Sequence, residues 1–260
     1  MLVPALLAVA SVVPAQTLPA PSELERIGAL GAELYAVDKA AWVGTDKMLA
    51  DVTPTELPQQ GGYIVTRGTD GVLLVTFFAQ EGDRYRRFYV TQVYDNKAIA
   101  GRRWPADEPG ELSPFERRLA QARTVALRTA TENGYTQCAS QPFNPIVLPP
   151  RSEGDPLAVY LLTPQTSNNA YPFGGHYMVR VGPQGEVISH RRFTKGCLTL
   201  PRPAGKTEAL IVSHLLDDRP TEIHVFESLT ARLPVFVLAA DRLWSVSGTT
   251  IKFQQQIKAK

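Results

Sequence analysis

Five prolines between residues 142 and 156 separate two parts of the chain that differ in pattern. Proline lacks a backbone N–H and restricts the residue before it, so a segment this rich in proline favours an extended conformation. We therefore predict an α+β lobe over 16–141, a Pro-rich connector over 142–156 and a mainly β lobe over 157–260. The apolar fraction of 44 % is typical of globular proteins and is sufficient for a hydrophobic core.

Two segments of the first lobe have the pattern of amphipathic helices. Ser22 and Glu25 have the spacing of a capping box, and the apolar spacing that follows predicts a helix over Glu23–Trp42. A second helix is predicted after Ser113, which forms a capping box with Glu116 and precedes a proline suited to the first helical position. It is expected to end at Asn133-Gly134, where glycine permits a left-handed stop.

The remaining periodic segments are β-branched and aromatic runs bounded by turn residues, which predict strands. In the first lobe they are Tyr63–Arg67, Val72–Ala79, Tyr85–Tyr94 and a strand ending near Trp104. In the second lobe they are Leu157–Thr163, His176–Val181, Glu186–Phe193, Ala209–Leu215, Glu222–Glu227, Pro234–Ala239, Leu243–Val246 and Thr250–Phe253. The fold class expected is α+β, with an N-terminal helix–antiparallel meander–helix lobe followed by a mainly antiparallel β lobe.

The first fifteen residues are uncharged and have the form of a signal peptide. Their apolar run is shorter than the roughly 20 residues of a membrane span, and Val13-Pro14-Ala15 has the small residues of a cleavage site. No Lys or Arg precedes the run, so a misassigned start site or a buried N-terminal strand or helix is the alternative. We predict cleavage after Ala15, export to the periplasm or the exterior, and no transmembrane span in the mature chain.

Cys138 and Cys197 are the only cysteines, and an oxidising compartment favours a disulfide between them. Such a bridge would join the end of the second helix to the β lobe. The alternative makes Cys197 a nucleophile with His190 or His214 as its base, but no local signature supports it.

All four histidines lie between residues 176 and 224. His176, His190, His214 and His224, together with Asp217, are candidate ligands of a transition metal, since imidazole and carboxylate are common ligands. The sequence lacks the close spacing of known metal motifs, and the alternative is that these histidines lie in strands and bond to the backbone. No cofactor is predicted unless this cluster forms.

Positive charge is concentrated in the same segment. Six cations lie between His176 and Lys206, against one acid, Glu186. The candidate anion-binding residues are Arg180, Arg191, Arg192 and Lys195. The alternative to an anion-binding site is the solvated outer face of a hairpin. Because His190-Arg191-Arg192 places charges on both sides of one predicted strand, the two interpretations carry equal weight.

The functional prediction rests on the lack of a recognisable nucleophile, acid pair or metal motif. We predict a non-catalytic exported module that binds a small molecule, a glycan or an envelope protein. Residues 164–175 combine amide, hydroxyl and aromatic side chains and could form a contact surface. The alternatives are a metal-dependent hydrolase that uses the histidines and an anion or acidic-glycan binder that uses the basic segment. The net charge of +2 gives no indication of a nucleic-acid partner.

Overall fold

The first helix, α1 (Pro21–Asp51), contacts elements from both halves of the chain. In this computed structural model the described residues are 20–105, 107–152, 154–167, 170–202 and 208–257. The predicted signal peptide at 1–15 lies outside them. Within these ranges the α+β class is confirmed, since three helices accompany four mostly antiparallel sheets.

Helix α1 is longer than the sequence predicted, and its start differs. Pro21 occupies the first turn and Ala20 is the N-cap, with no side-chain cap, so the predicted capping box of Ser22 and Glu25 is wrong. The helix continues past Trp42 because buried Met48 extends its apolar face. No described helix is both long and apolar enough to cross a membrane.

The predicted meander forms the first sheet. Its strands are β1 (Gly61–Arg67), β2 (Leu73–Glu81), β3 (Arg84–Tyr94) and β4 (Lys97–Arg103), paired antiparallel in that order. Val65 and Phe77 pack against α1 in one core, whereas Ile64 and Phe78 pack in another against α2 (Pro114–Glu132). The predicted Ser113 capping box of α2 is confirmed, and Asn133 is its C-cap.

A second antiparallel sheet lies on the other side of α2. Its strands are β5 (Asn144–Val147), β6 (Leu157–Leu162), β8 (Tyr177–Val181) and β9 (Val187–Arg192). Strand β5 lies inside the segment predicted as a connector and pairs with β6, and the 182–185 turn joins β8 to β9. Val159 and Val179 face α2, whereas Tyr160 packs in the core that contains α1.

The third sheet contains a parallel pair, which corrects one strand assignment. It comprises β11 (Leu210–His214), β12 (Val235–Ala239), β13 (Arg242–Ser247) and β14 (Thr250–Gln256). Strands β11 and β12 are parallel and require a crossover, which α3 (Glu222–Ala231) provides. The predicted strand Glu222–Glu227 is therefore wrong.

A two-stranded ribbon of β7 (Ala170–Pro172) and β10 (Thr199–Pro201), and a short 3-10 helix (Pro54–Glu56), complete the described elements. Tyr171 and Phe173 are buried in the core of the third sheet. These two aromatic residues therefore contribute to packing, and not to the contact surface predicted for residues 164–175.

Helices α1 and α3 are in close contact at Gly31. A Cβ atom there would overlap the side chain of Val225 and lie 2.7 Å from the carbonyl oxygen of Glu222. Leu24 and Ile27 of α1 reach the core of the third sheet, and Leu34 lies in the core shared with the first two sheets. The junction of α1 and α3 is thus where the two halves of the sequence meet.

Candidate functional site

The disulfide is confirmed. Cys138 and Cys197 are bonded, with their Cα atoms 5.3 Å apart, and link the segment after α2 to the loop after β9. Neither cysteine is free, so the alternative of a Cys197 nucleophile is wrong in this structure.

His176 is fully buried at the start of β8, and its hydrogen bonds define its tautomer. The backbone N–H of Thr163 donates to Nδ1 at 3.2 Å, and Nε2 donates to the carbonyl oxygen of Pro172. Nε2 also lies 3.4 Å from Oε1 of Glu227, a fully buried residue of α3. Nδ1 of His176 is therefore the acceptor and Nε2 carries a proton.

Glu227 belongs to a polar seam that runs through the α1–α3 junction. Its carboxyl oxygens accept no hydrogen bond of good geometry within the described part of the chain, and burial raises its pKa, although the contact with His176 opposes the shift. Asp38 of α1 accepts a hydrogen bond from Asn144 Nδ2 at 2.6 Å, and Asn144 in turn accepts one from Tyr63. Burial raises the pKa of Asp38 to about 6, the Asn144 hydrogen bond opposes the shift, and the negative charge of Glu227 adds to it.

His214 and His224 lie together near the other end of α3. Their rings are perpendicular, with centroids 4.7 Å apart. The backbone N–H of Thr221 donates to Nδ1 of His224 at 3.0 Å, which makes His224 part of the N-terminal cap of α3. Burial lowers the pKa of His224 to about 3, and neighbouring His214 contributes in the same direction.

Asp217 connects this histidine pair to strand β9. Its Oδ2 lies 2.7 Å from His214 Nε2 and accepts a hydrogen bond from Arg191 Nη2 at 2.6 Å. Burial alone would raise the pKa of Asp217, but the bonds with His214 and Arg191 outweigh it and lower the pKa to about 2. Asp217 is therefore an ionised carboxylate that already has two partners.

His190 is separate from the other three histidines. It is exposed on β9, and its Nδ1 lies 2.7 Å from the hydroxyl of Tyr135. Within the residues that the structure describes, no three His, Cys, Asp or Glu side chains are arranged to hold a metal ion. The transition-metal site stays a prediction; of its candidate ligands, His214 contacts Asp217 and His224, whereas His190 lies apart.

The predicted anion-binding cations do not all lie on one face. Arg180 and Arg191 lie on the same face of the β8–β9 pair, where their partners are Ser189 and Met178. Arg192 is opposite Tyr177 and lies on the other face. Arg191 also pairs with Asp217, and exposed Lys195 lies in the loop that follows β9. An anion site that uses all four residues stays a prediction without support from this placement.

A groove beside β3, which sequence reasoning missed, has a volume of about 940 Å³. After β4 the chain leaves its pairing with β3 at Trp104, whose backbone N–H donates to the carbonyl oxygen of Phe88. It returns to β3 at Gly110, whose carbonyl oxygen accepts a hydrogen bond from the backbone N–H of Arg87. The intervening loop forms one wall of the groove. Its lining includes four arginines, two aromatic residues and four acids: Arg84, Arg86, Arg87, Arg103, Phe88, Trp104, Glu81, Asp107, Glu108 and Glu111.

Two of these arginines hold the loop in place. Arg86 Nη2 donates to the carbonyl oxygens of Pro105 at 2.8 Å and Glu108 at 2.6 Å. Arg87 donates to the carbonyl oxygen of Glu111 and pairs with Glu116 of α2. Both guanidinium groups therefore position the groove wall.

The other cations lie at the rim in exposed ion pairs. Arg84 pairs with Glu111 at 2.9 Å with 76 % of its side chain exposed, and Arg103 pairs with Glu56. Arg102 lies with its Cζ 4.0 Å from the ring centroid of Trp104, a cation–π contact. Exposed pairs of this kind contribute about 0–1 kcal/mol, so a ligand carboxylate could displace the protein carboxylates.

Comparison with known proteins found no matching family model, no matching curated protein and no matching solved structure. Fold and site define an α+β protein that combines a disulfide, a buried polar seam and an arginine-rich surface groove.

Proposed function

We propose that the protein is a non-catalytic binding module that holds a carboxylated glycan in the groove beside β3. The observation that carries the proposal is the set of exposed arginines in ion pairs at the groove, with Arg84 and Arg103 in its lining and Arg102 stacked on Trp104. Guanidinium groups form paired hydrogen bonds with carboxylates, and Phe88 and Trp104 add apolar surface to the groove lining. This moves the acidic-glycan alternative from the 176–206 segment to β3 and β4.

The titratable groups buried at the α1–α3 junction do not act on a ligand in the groove. His176, Glu227 and His224 are buried at the α1–α3 junction, and none of them lines the groove. A general acid or base must reach its substrate within hydrogen-bond distance, which these side chains do not do from the core.

The composition of the groove favours a glycan over an acidic peptide. Its lining is dominated by charged side chains, with Phe88 and Trp104 as its large apolar surfaces. A peptide is usually recognised through pockets for successive apolar side chains or through a free strand edge. Here the first half of β3 is already paired with residues 110–112.

Calorimetric titration with oligogalacturonate tests the proposal, with an uncharged galactan of equal length as the control ligand. We expect binding of the uronate that weakens as salt is added. Arg84→Ala and Arg103→Ala should each weaken it by up to about fivefold. Arg180→Ala, which removes an exposed cation on β8, should leave it unchanged. Equal binding of the neutral glycan, an equal effect of Arg180→Ala, or binding of oligoglutamate alone would contradict the proposal.

We also propose that the protein acts outside the cytosol. The Cys138–Cys197 bridge supports this, since disulfides persist mainly in oxidising compartments, and so does the uncharged apolar segment 1–15. Mass spectrometry of the natural protein should find a mature chain that begins at Gln16. Recovery of the intact chain from the cytosol, with both thiols reduced, would contradict export.

A further inference from the structure

We infer that β11 is a self-association edge, through which two copies of this chain pair antiparallel to form a continuous sheet. Strand β11 is the first strand of the third sheet and, within the described residues, is paired only with β12. The backbone N–H of Leu210 bonds to Pro234 on the β12 side. Because N–H groups alternate along a strand, those of Ile211 and Ser213 point to the opposite, open side.

The composition of β11 distinguishes it from every other edge strand that the structure describes. Natural proteins protect exposed edges with charged residues or proline, which prevent pairing between copies. The other edges each carry at least one: Arg67 on β1, Lys97, Arg102 and Arg103 on β4, Pro145 on β5, Pro172 on β7, Arg191 and Arg192 on β9, Pro201 on β10 and Lys252 on β14. Strand β11 carries no Lys, Arg, Asp, Glu or Pro.

The side chains on the outer face of β11 are also unusually exposed and apolar. Ile211 is 70 % exposed and Leu215, which follows the strand, is 69 % exposed, the largest values among the exposed apolar residues described. Ile211 lies in register with Phe236 of β12, and Ser213 lies in register with Leu238. These residues belong to none of the three hydrophobic cores, so the apolar row they form is open.

A second copy fits this edge better than a charged partner does. In an antiparallel pair related by a two-fold axis normal to the sheet, each strand meets itself with the same faces aligned. No like charges then face each other across β11, and the apolar row of Ile211 and Phe236 continues from one copy into the next. The same arrangement at β4 or β9 would place arginines in proximity.

Analytical ultracentrifugation of the disulfide-bonded full chain, over a wide concentration range, tests the inference. We expect the wild-type protein to be a dimer that dissociates on dilution. Ile211→Lys occurs twice in the interface and should raise the dimer dissociation constant by about 100-fold. Ile99→Lys is the matched control, because Ile99 is a similarly exposed isoleucine on edge strand β4, and it should leave the dimer intact.

Two further variants separate edge pairing from a general loss of apolar surface. Ser213→Pro removes the backbone N–H that points to the open edge and leaves the hydrogen bonds between β11 and β12 in place. It should therefore abolish the dimer while the far-ultraviolet circular dichroism spectrum stays native. An equimolar mixture of Ile211→Lys and Ile211→Glu should restore a dimer that neither forms alone, since opposite charges then face each other. A wild-type chain that is monomeric throughout, or variants that dimerise as tightly as the wild type, would overturn the inference.

Discussion

The Nε2 atom of His176 lies 3.4 Å from a carboxyl oxygen of Glu227, and both side chains are excluded from water. The proton on Nε2 is directed at the carbonyl oxygen of Pro172. Glu227 is therefore a buried acid beside His176, and its negative charge raises the pKa of a second acid, Asp38. Two carboxyl groups with raised pKa values thus lie on the facing helices α1 and α3.

Replacing Glu227 with an apolar residue of similar length should stabilise the protein. Burial of a carboxyl group without hydrogen-bond partners costs free energy, and methionine removes that cost while it fills the same space. We expect Glu227→Met to raise the free energy of unfolding at neutral pH by about 1–3 kcal/mol, as measured by urea denaturation. A loss of several kcal/mol would show instead that the carboxyl group makes a stabilising pair.

The disulfide should contribute strongly to stability because it closes a long loop. Cys138 and Cys197 are 59 residues apart, and the chain-entropy model gives about 4 kcal/mol for a loop of this length. The double variant Cys138→Ser/Cys197→Ser should lose about this amount in urea denaturation. Reductant should destabilise the wild type but have no effect on the double variant, and an equal response of both would contradict the assignment.

Asp38 should make the protein less stable as pH rises above 4. Its pKa in the folded state is about 6, compared with an ordinary value of 3.8, so the folded state favours the protonated form. This contribution is greatest below pH 3.8 and is lost as pH rises through 6. Allowing for the partial exposure of Asp38, the loss between pH 4 and pH 7 is about 1–2 kcal/mol.

The variant Asp38→Asn isolates this effect, because its amide oxygen can still accept the hydrogen bond from Asn144. We expect the difference in unfolding free energy between variant and wild type to increase with pH across that window. A difference that stays constant from pH 4 to pH 7 would show that Asp38 is ionised throughout.

Local patterns predicted the antiparallel hairpins well, for physical reasons visible at their turns. The 182–185 turn needs a residue with positive φ, and Gly185 supplies it at +85°. The strand predicted at Glu222–Glu227 failed because the Ile223–Phe226 run has local β propensity, yet the parallel β11–β12 pair requires a crossover helix there. Tertiary context, which a local pattern does not contain, decided that segment.

The candidate site was harder to predict than the fold. The arginine runs at 84–87 and 102–103 are visible in the sequence, but the groove forms only because the chain leaves the edge of β3 after Trp104 and returns to it at Gly110. The histidines were visible too, yet strand register and helix α3 placed His190 on the surface and the other three in the core. A single residue of register decides such placements, and the spacing of residues along the chain does not encode it.

His224 should make the protein sensitive to mild acid. Its pKa is lowered from 6.5 to about 3 in the folded state, so protonation favours the unfolded chain as pH falls below 6.5. This stability is fully present above pH 6.5, and about 2 kcal/mol of it is lost on going from pH 7 to pH 5. Glutamine preserves a side-chain acceptor at the third position of a capping box without the titrating group.

We therefore expect His224→Gln to lose less unfolding free energy than the wild type between pH 7 and pH 5, measured by urea denaturation at each pH. The matched control is His190→Gln, because His190 is exposed and its substitution should leave this loss unchanged. If both variants lose as much stability as the wild type, another group is responsible for the loss.

The His214, His224 and Asp217 group should hold less than one equivalent of transition metal. Asp217 already accepts a hydrogen bond from Arg191, and a divalent cation bound there would be repelled by that guanidinium group. His224 uses Nδ1 to accept the hydrogen bond from the backbone of Thr221. Elemental analysis of protein purified without an affinity tag should therefore find substoichiometric metal, and chelator treatment should leave the melting temperature unchanged. One equivalent of zinc that is lost in His214→Ala but kept in His190→Ala would instead support the metal-dependent hydrolase.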